Sequence, residues 1–474
     1  MRAVVVGGGF AGMAAAMALR ERGWDVLLLD RRGVLGGRAT SFRDAQSGED
    51  VDNGTHLMVG GYTATLDLVR RAGAGDLLWE QDRLRLDYVD DRGPTALRCP
   101  PLPAPLHLLA GLLSLRVPWR TRWEAARFAL AARRGAPGAD LTLAEHLRRT
   151  GQSAATRKLL WDPLATAILN ETPENAAAVL FHNVFCEAFL ADRRAARLVF
   201  LRRGWGVLFD RLAAHLETLG GVVRRRALAT AVDVAAGRAT GVRYQQRAAT
   251  REEIRRGAAT TVARAEADAV VLAVPWGAVG RLLPEEWAGR PPFAGLDALG
   301  GSPIVSVELW VDRPVVDRAM VGLRGGEMEW VFDKGRLYGR EGAPQHLAFI
   351  VSAARRSLER ANAELTASAE ASLRRYFPAM RGARVTRALV LREPSATFAS
   401  RPGLDALRPG AVTPLAGLYL AGDWTDTGLP AVIEGAVRSG RRAALAAAGS
   451  SPVRASGGAP PPAPWPGTTV ASAG

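Results

Sequence analysis

Two residue types are scarce in this chain, and each scarcity removes a class of function. Of 474 residues only two are cysteine, Cys99 and Cys186. They form no CxxC pair and no metal-ligand cluster, and they suit a reduced, cytoplasmic interior. Only two are lysine, Lys158 and Lys334, so nearly all of the 62 basic residues are arginine. The net charge of +15 comes without any basic block interleaved with aromatics, which argues against nucleic acid as a partner. Attraction to an anionic membrane surface explains that charge more simply. A run of about 20 apolar residues is also missing, so no spanning helix is predicted. The N-terminal apolar residues are not read as a signal peptide, because they already belong to a strand and a helix. The length exceeds what one compact core usually holds, and 48% hydrophobic residues suit a globular interior, so two intertwined domains are expected.

The most informative pattern lies at the start. Ala3-Val4-Val5-Val6 reads as a buried strand that runs into Gly7-Gly8-Gly9-Phe10-Ala11-Gly12 and an Ala/Leu-rich helix ending at Arg22-Gly23. A second apolar run, Val26 to Leu29, stops at Asp30-Arg31. Strand, GxGxxG, helix, strand and acid in this order form a dinucleotide-binding unit. Gly7 allows the tight turn, Gly9 lets the backbone approach a pyrophosphate, and Gly12 lets helix and strand pack closely. The helix N-terminus, with Phe10 and Ala11, presents N–H groups and positive dipole to the phosphates, and Asp30 accepts from ribose hydroxyls.

Later segments choose the dinucleotide. Gly36-Gly37-Arg38 follows the second strand, then Asp52-Asn53-Gly54-Thr55-His56. Near the C-terminus a strand, Gly417 to Ala421, ends in Gly422-Asp423 and leads into a helix beginning near Val432-Ile433. FAD needs such a return, because its isoalloxazine lies far from its adenine and a second helix N-terminus can face the edge that gains negative charge on reduction.

With these motifs the chain resembles the flavin-containing amine oxidases and carotenoid desaturases from Met1 to about Ala447, on the GGR element and the Glu434-Gly435-Ala436-(x)2-Ser439-Gly440 helix. Within that superfamily, Val51–Leu57, Pro103–Leu109, Trp161-Asp162-Pro163-Leu164 and Leu169-Asn170 are similar to the hydroxysqualene dehydroxylases of hopanoid and isoprenoid biosynthesis. The resemblance implies an α/β fold: a Rossmann-like, GR2-type FAD domain with a discontinuous, mixed α+β substrate domain. It implies FAD contacts at Gly7, Gly9, Phe10, Ala11, Gly12, Asp30, Arg31, Gly37, Arg38, Gly54, Thr55, His56, Gly422, Asp423, Val432 and Ile433, with the backbone near Ala229 at the adenine. It also implies an apolar, hydroxysqualene-like isoprenoid as substrate. The reaction is then reductive: reduced FAD gives a hydride to an allylic carbon while the hydroxyl leaves as water, which calls for an acid near the leaving oxygen.

His56 and Asp162 are the candidates for that acid. A hydrogen-bonding His and an N-cap are their respective structural alternatives. Asn170 to Glu174 reads as a helix cap, His182 as a wall residue beside Phe181 and Phe185, and Arg203 as a partner for a phosphate or for Asp162. A carotenoid desaturase, which removes hydride, is the rival enzyme; an amine oxidase and a flavin-free prenyl-lipid binder fit less well.

Residues 1–75, 205–285 and 406–447 are assigned to the FAD domain, 76–204 and 286–405 to the substrate domain, and 448–474 to a disordered tail. Gly221–Val223 and Ala227–Val234 read as a β-pair, 245–265 as an exposed excursion, and Ile304–Val311 as a half-buried strand. Leu106–Leu115 followed by Arg116, Trp119, Arg120, Arg122 and Trp123 reads either as a helical hairpin over the substrate domain or as a monotopic anchor on the inner face of the membrane.

Overall fold

The computed structural model describes residues 1–248, 260–450 and 465. A five-stranded parallel sheet lies at its centre, in the order Val222–Arg224, Asp25–Leu29, Arg2–Val6, Ala269–Leu272, Leu418–Leu420. These strands are short apolar runs, as expected of a parallel sheet covered on both faces. Ala3, Val5, Val26, Leu28 and Val271 turn to one face, against the helices Phe10–Arg20, Trp205–Thr218 and Ile433–Gly449. Val4, Val6, Leu27, Leu29 and Leu272 turn to the other, where they meet an antiparallel meander, Ala227–Ala235, Arg238–Gln246 and Thr261–Glu266.

Val222–Arg224 does not pair with Ala227–Ala235, contrary to the sequence reading. It is the edge of the parallel sheet, beside Leu27–Leu29, and the two strands are separated by Arg226 in the left-handed region at φ +59. The backbones of Asp30 and these segments interlock: Asp30 N–H donates to the Arg224 carbonyl, and Ala227 N–H donates to the Asp30 carbonyl. Nor are the described parts of 245–265 an excursion, because Gln245 and Gln246 pair with Val262 and Thr261 in the meander; residues 249–259 lie outside the described residues.

A seven-stranded sheet stands beside this unit, in the order Val385–Phe398, Gly301–Val311, Gln345–Val351, Trp330–Asp333, Met320–Leu323, Arg85–Asp90, Gly93–Arg98. Val305, Val307 and Leu309 pack toward the helix Asn362–Tyr376. The alternate positions Ser306, Glu308 and Trp310 are polar or amphipathic, and they too are buried. The strand is therefore covered on both faces rather than half-buried, because the Ser41–Arg43/Asp50–Asp52 hairpin approaches its polar side: the Trp310 indole N–H donates to Glu49 at 3.0 Å.

Helices complete the second region, among them Leu106–Ser114, Trp119–Ala132, Asp162–Leu169 and Ala178–Val184. Phe128, Trp161, Phe181 and Phe185 contact one another between them. The last helix continues to Gly449, into the segment expected to be a disordered tail. Trp465 also departs from that expectation: it is buried, its indole N–H donates to Asp25 at 2.9 Å, and the Arg2 guanidinium lies over its ring. The rest of the tail, 451–464 and 466–474, lies outside the described residues.

Candidate active site

The glycine loop contains two kinds of glycine. A Cβ on Gly12 would lie 1.8 Å from the Gly7 carbonyl oxygen, so the fold itself forbids a side chain there. A Cβ on Gly9 would meet nothing nearer than Gly36 O at 3.7 Å, and one on Gly37 nothing nearer than Gly9 Cα at 3.7 Å. Gly37 is in the left-handed region at φ +61, which itself favours glycine, but at Gly9 protein packing alone leaves room for a side chain. That room lies at the N-terminus of Phe10–Arg20, whose N-cap, Gly9, has no side chain to occupy the free N–H groups. This is what a pyrophosphate needs, and the residues present fit one.

Asp30 closes the loop from the side. One of its oxygens accepts from Gly8 N–H and the other from Arg32 N–H, both at 2.7 Å. The carboxylate is held at the second strand's end with further lone pairs for a sugar hydroxyl. Arg31 lies exposed at the rim, and Ala229 is buried at a bulge of the meander.

The C-terminal segment reaches this site through one close helix crossing. A Cβ on Gly440 would lie 2.1 Å from Ala11 O, so only glycine lets Ile433–Gly449 lie this near the first helix. Val432 is its N-cap, in extended conformation with no capping side chain, which leaves the first N–H groups of the helix open. Glu434 turns away to cap a different helix, Thr63–Arg71, accepting from the N–H groups of Ala64 and Thr65 at 3.0 and 2.9 Å. Asp423 pairs with Arg38, joining segments 385 residues apart. Arg408 is buried behind it, and one of its nitrogens donates to the carbonyls of Asp423 and Thr425 and to the Thr427 hydroxyl.

The Asp52–His56 segment rests on buried charge. Asp52 accepts from the Ser41 hydroxyl at 2.6 Å and the Tyr338 hydroxyl at 2.7 Å, and it pairs with Lys334. Burial works to raise its carboxyl, but Lys334 and these hydrogen bonds outweigh it and leave the carboxyl below its ordinary value. Asn53 donates to Glu393 at 3.1 Å, tying the segment to the seven-stranded sheet. The Thr55 hydroxyl is enclosed and has no partner among the described residues, an orphan that suits contact with a bound group. His56 Nδ1 lies 2.7 Å from the Gly54 carbonyl, and its ring meets Trp205 edge-on. A carbonyl only accepts, so Nδ1 carries the proton; burial lowers the imidazole's pKa, and the neutral ring therefore keeps a lone pair on Nε2. Nearby, His346 is clamped between Glu308 and Glu49 at 2.8 and 3.0 Å and stacks on Trp310. Burial works against its charge, but the two carboxylates win and raise its pKa.

Lys334, Tyr338, His346 and Arg408 were not singled out from the sequence. Only Lys334 carried a signal, as one of two lysines in an arginine-rich chain.

In the second region, Asp162 opens its helix directly after the π-helical turn Arg157–Trp161, and it is not an N-cap. One of its oxygens is enclosed, 3.6 Å from Arg157, and burial raises the carboxyl against that guanidinium. Arg157, not Arg203, is therefore its ionic partner; Arg203 instead lines a groove of about 400 Å³ with Arg202, Arg211, Asp76 and Tyr338. Asn170 ends the helix in the left-handed region, donating to Ser302 O and Thr397 Oγ1 at 3.0 Å each and accepting from Ala353 N–H at 2.7 Å. His182 is buried, with Nε2 3.6 Å from Cys186 Sγ.

The hairpin Leu106–Ser114/Trp119–Ala132 turns apolar side chains to solvent: Trp119 is 76% exposed, Leu113 68% and Trp123 55%. Among the described residues no helix is long and apolar enough to cross a membrane, and no group of three or more His, Cys, Asp or Glu could hold a metal ion.

Residues 10–447 match the family described as flavin containing amine oxidoreductase. The chain is 31% identical over 459 residues to a hydroxysqualene dehydroxylase of Rhodopseudomonas palustris, covering 93% of this chain and 96% of the relative. It is 26% identical over 475 residues to a 15-cis-phytoene desaturase of Synechococcus elongatus, covering 94% and 95%. An oxidoreductase structure from Methanosarcina mazei shares the fold at TM-score 0.71 with 17% identity, covering 93% of this chain and 99% of that one.

Proposed function

The chain belongs to the flavin-containing amine oxidoreductase family, and from that premise we propose that it reductively removes the hydroxyl of hydroxysqualene to give squalene. It is an oxidoreductase with FAD as cofactor, since the family is flavin-containing, and the room beside Gly9 supports the glycine loop as the place where a dinucleotide binds. The observation that carries the finer reading is the similarity to hydroxysqualene dehydroxylases along nearly the whole chain, higher than that to phytoene desaturases. Two features agree with a large hydrocarbon substrate: the aromatic core of the second region and the exposed apolar hairpin.

FAD, when bound and reduced, supplies the hydride. In this reading the Gly7–Gly12 loop, with Phe10 and Ala11, holds the pyrophosphate, Asp30 a ribose, and Arg31 and Ala229 flank the adenine end. Gly37, Arg38 and Asp423, with Gly422, fix the middle of the cofactor. Gly54, Thr55, His56 and the open N–H groups after Val432 and at Ile433 take its other end. Asp162 is the group suited to hold a proton for the departing oxygen, because burial raises its carboxyl. His56, neutral with a free Nε2, is suited to accept a hydrogen bond and orient the hydroxyl.

The exposed Trp119, Trp123 and Leu113, with Arg116 and Arg120 beside them, would place the protein peripherally on the inner face of the membrane, where an apolar substrate partitions. Offering hydroxysqualene to the protein with its FAD reduced, and phytoene to the protein with its FAD oxidised, tests the reaction. Squalene from the alcohol supports the reading; conjugated polyenes from phytoene, with no squalene, would establish the desaturase instead.

A further inference from the structure

Arg324 carries a guanidinium that the fold leaves without a hydrogen-bond partner among the described residues. It directly follows the Met320–Leu323 strand, its N–H donating to the Val89 carbonyl and its own carbonyl accepting from the Tyr376 hydroxyl, both at 2.9 Å. These anchors fix where the side chain starts. The guanidinium lies 4.2 Å above the centroid of Tyr88, and its Nε, Nη1 and Nη2 are all enclosed without a hydrogen-bond partner among the described residues. The neighbouring carboxylate, Asp90, favours the Arg324 charge across space but makes no hydrogen bond to it; its Oδ1 accepts from Arg116 at 3.0 Å and from the Arg92 N–H at 2.9 Å. Burial draws the Arg324 guanidinium below its ordinary range, and Arg116 adds to this against Tyr88 and Asp90.

A second orphan adjoins the same ring. Trp330 packs on Tyr88 at 5.6 Å between centroids, is itself buried, and its indole N–H is enclosed with no hydrogen-bond partner among the described residues. A guanidinium fork and an indole N–H thus both lie against one aromatic ring, neither with a hydrogen-bond partner among the described residues. A desolvated, unpaired cation is among the most costly things a protein can bury. The partner that answers it must be an anion with several acceptor oxygens; carboxylate and phosphate both match a guanidinium fork, and phosphate is the one that a phospholipid surface presents.

The place of the site indicates the source. Arg116, which holds Asp90, is the link between Leu106–Ser114 and Trp119–Ala132, the two helices that expose Leu113, Trp119 and Trp123. We propose that Arg324, with the Trp330 indole N–H, binds the phosphate of a membrane phospholipid at the root of this apolar hairpin. The choice of lipid over free phosphate rests on the membrane reading above; the need for an anion does not.

The test uses FAD-loaded protein and two vesicles of equal surface charge in a galactolipid matrix, one carrying phosphatidylglycerol and the other oleate, which has no phosphate. The wild type should bind the phosphatidylglycerol vesicles about tenfold more tightly, the effect of one charge-assisted phosphate contact. Arg324→Gln should erase that preference while binding oleate vesicles as the wild type does. Trp119→Ser with Trp123→Ser should weaken binding to both. Without lipid, Arg324→Met should melt no lower than the wild type, because it removes an unpaired buried charge; a lower melting temperature would mean that Arg324 is structural and would overturn the site. A headgroup preference that survives Arg324→Gln would overturn it too and leave the membrane reading intact. If no vesicle is bound, but inorganic phosphate raises the melting temperature of the wild type and not of Arg324→Gln, the phosphate site stands and its lipid source is overturned. Neither vesicle binding nor a phosphate effect would reject both.

Discussion

The glycine-loop region and the region around Tyr88 treat polar groups in opposite ways. Around the loop, Asp30, Asp423 and Glu434 are each tied to named donors, and the gap at Gly9 and Gly37 is bounded by backbone. Around Tyr88, a guanidinium and an indole N–H are enclosed with no hydrogen-bond acceptor among the described residues. The first region is built to hold one shape whatever is bound. The second is incomplete by itself, and its energetics depend on what arrives.

The largest expected effect tests how far that contrast extends within the loop. Gly12→Val should abolish folded holoprotein, since even its Cβ would lie 1.8 Å from a carbonyl oxygen. Gly9→Ala should fold normally, by circular dichroism, yet retain little flavin. Loss of fold in both variants would mean that the Gly9 gap is not a ligand space. Next in size is the buried pair under the Asp52–His56 segment. Lys334→Met leaves the buried Asp52 without its ion-pair partner, and should cost about 3–5 kcal/mol in denaturant unfolding. Asp52→Asn combined with Lys334→Met should recover much of that loss.

The pH dependence of stability follows from the same groups and has two edges. Asp52 titrates lower in the folded state, so its contribution is present above the ordinary carboxylate value of about 3.9 and is lost as pH falls through the depressed one. His346 titrates higher in the folded state, so its contribution is complete below about 6.5 and is lost as pH rises through the raised one. His346→Gln should flatten the alkaline edge alone, in melts across pH. A smaller effect, on rate and not on stability, is expected from Asp162→Asn: slower turnover with FAD retained. If Asp162 is the acid, wild-type turnover should fall as pH rises through its raised value, and the variant should lose that dependence.

Much of the first region was legible because its signals are local. Val4 to Gly12 carries strand, turn and helix in nine residues, and Gly422-Asp423 ends its strand as read. Val222–Arg224 was misplaced because a short apolar strand does not state its partner, and its own lay at Leu27–Leu29. The buried network was invisible for the same reason. Asp52 and Lys334 are 282 residues apart, and nothing local to either says that they meet. Arg324 looked like any surface arginine, since its isolation is a property of the packing around it.

The central claim, a flavin site that gives up a hydride to a long-chain alcohol, is tested most directly by a single turnover without oxygen. Protein carrying reduced FAD is mixed with hydroxysqualene, and hydrocarbon product and flavin absorbance are followed together. The account predicts squalene equal in amount to the loaded FAD, appearing as the absorbance of oxidised flavin returns. Flavin that stays reduced while the alcohol is recovered unchanged, from protein that does desaturate phytoene when its FAD starts oxidised, would contradict it.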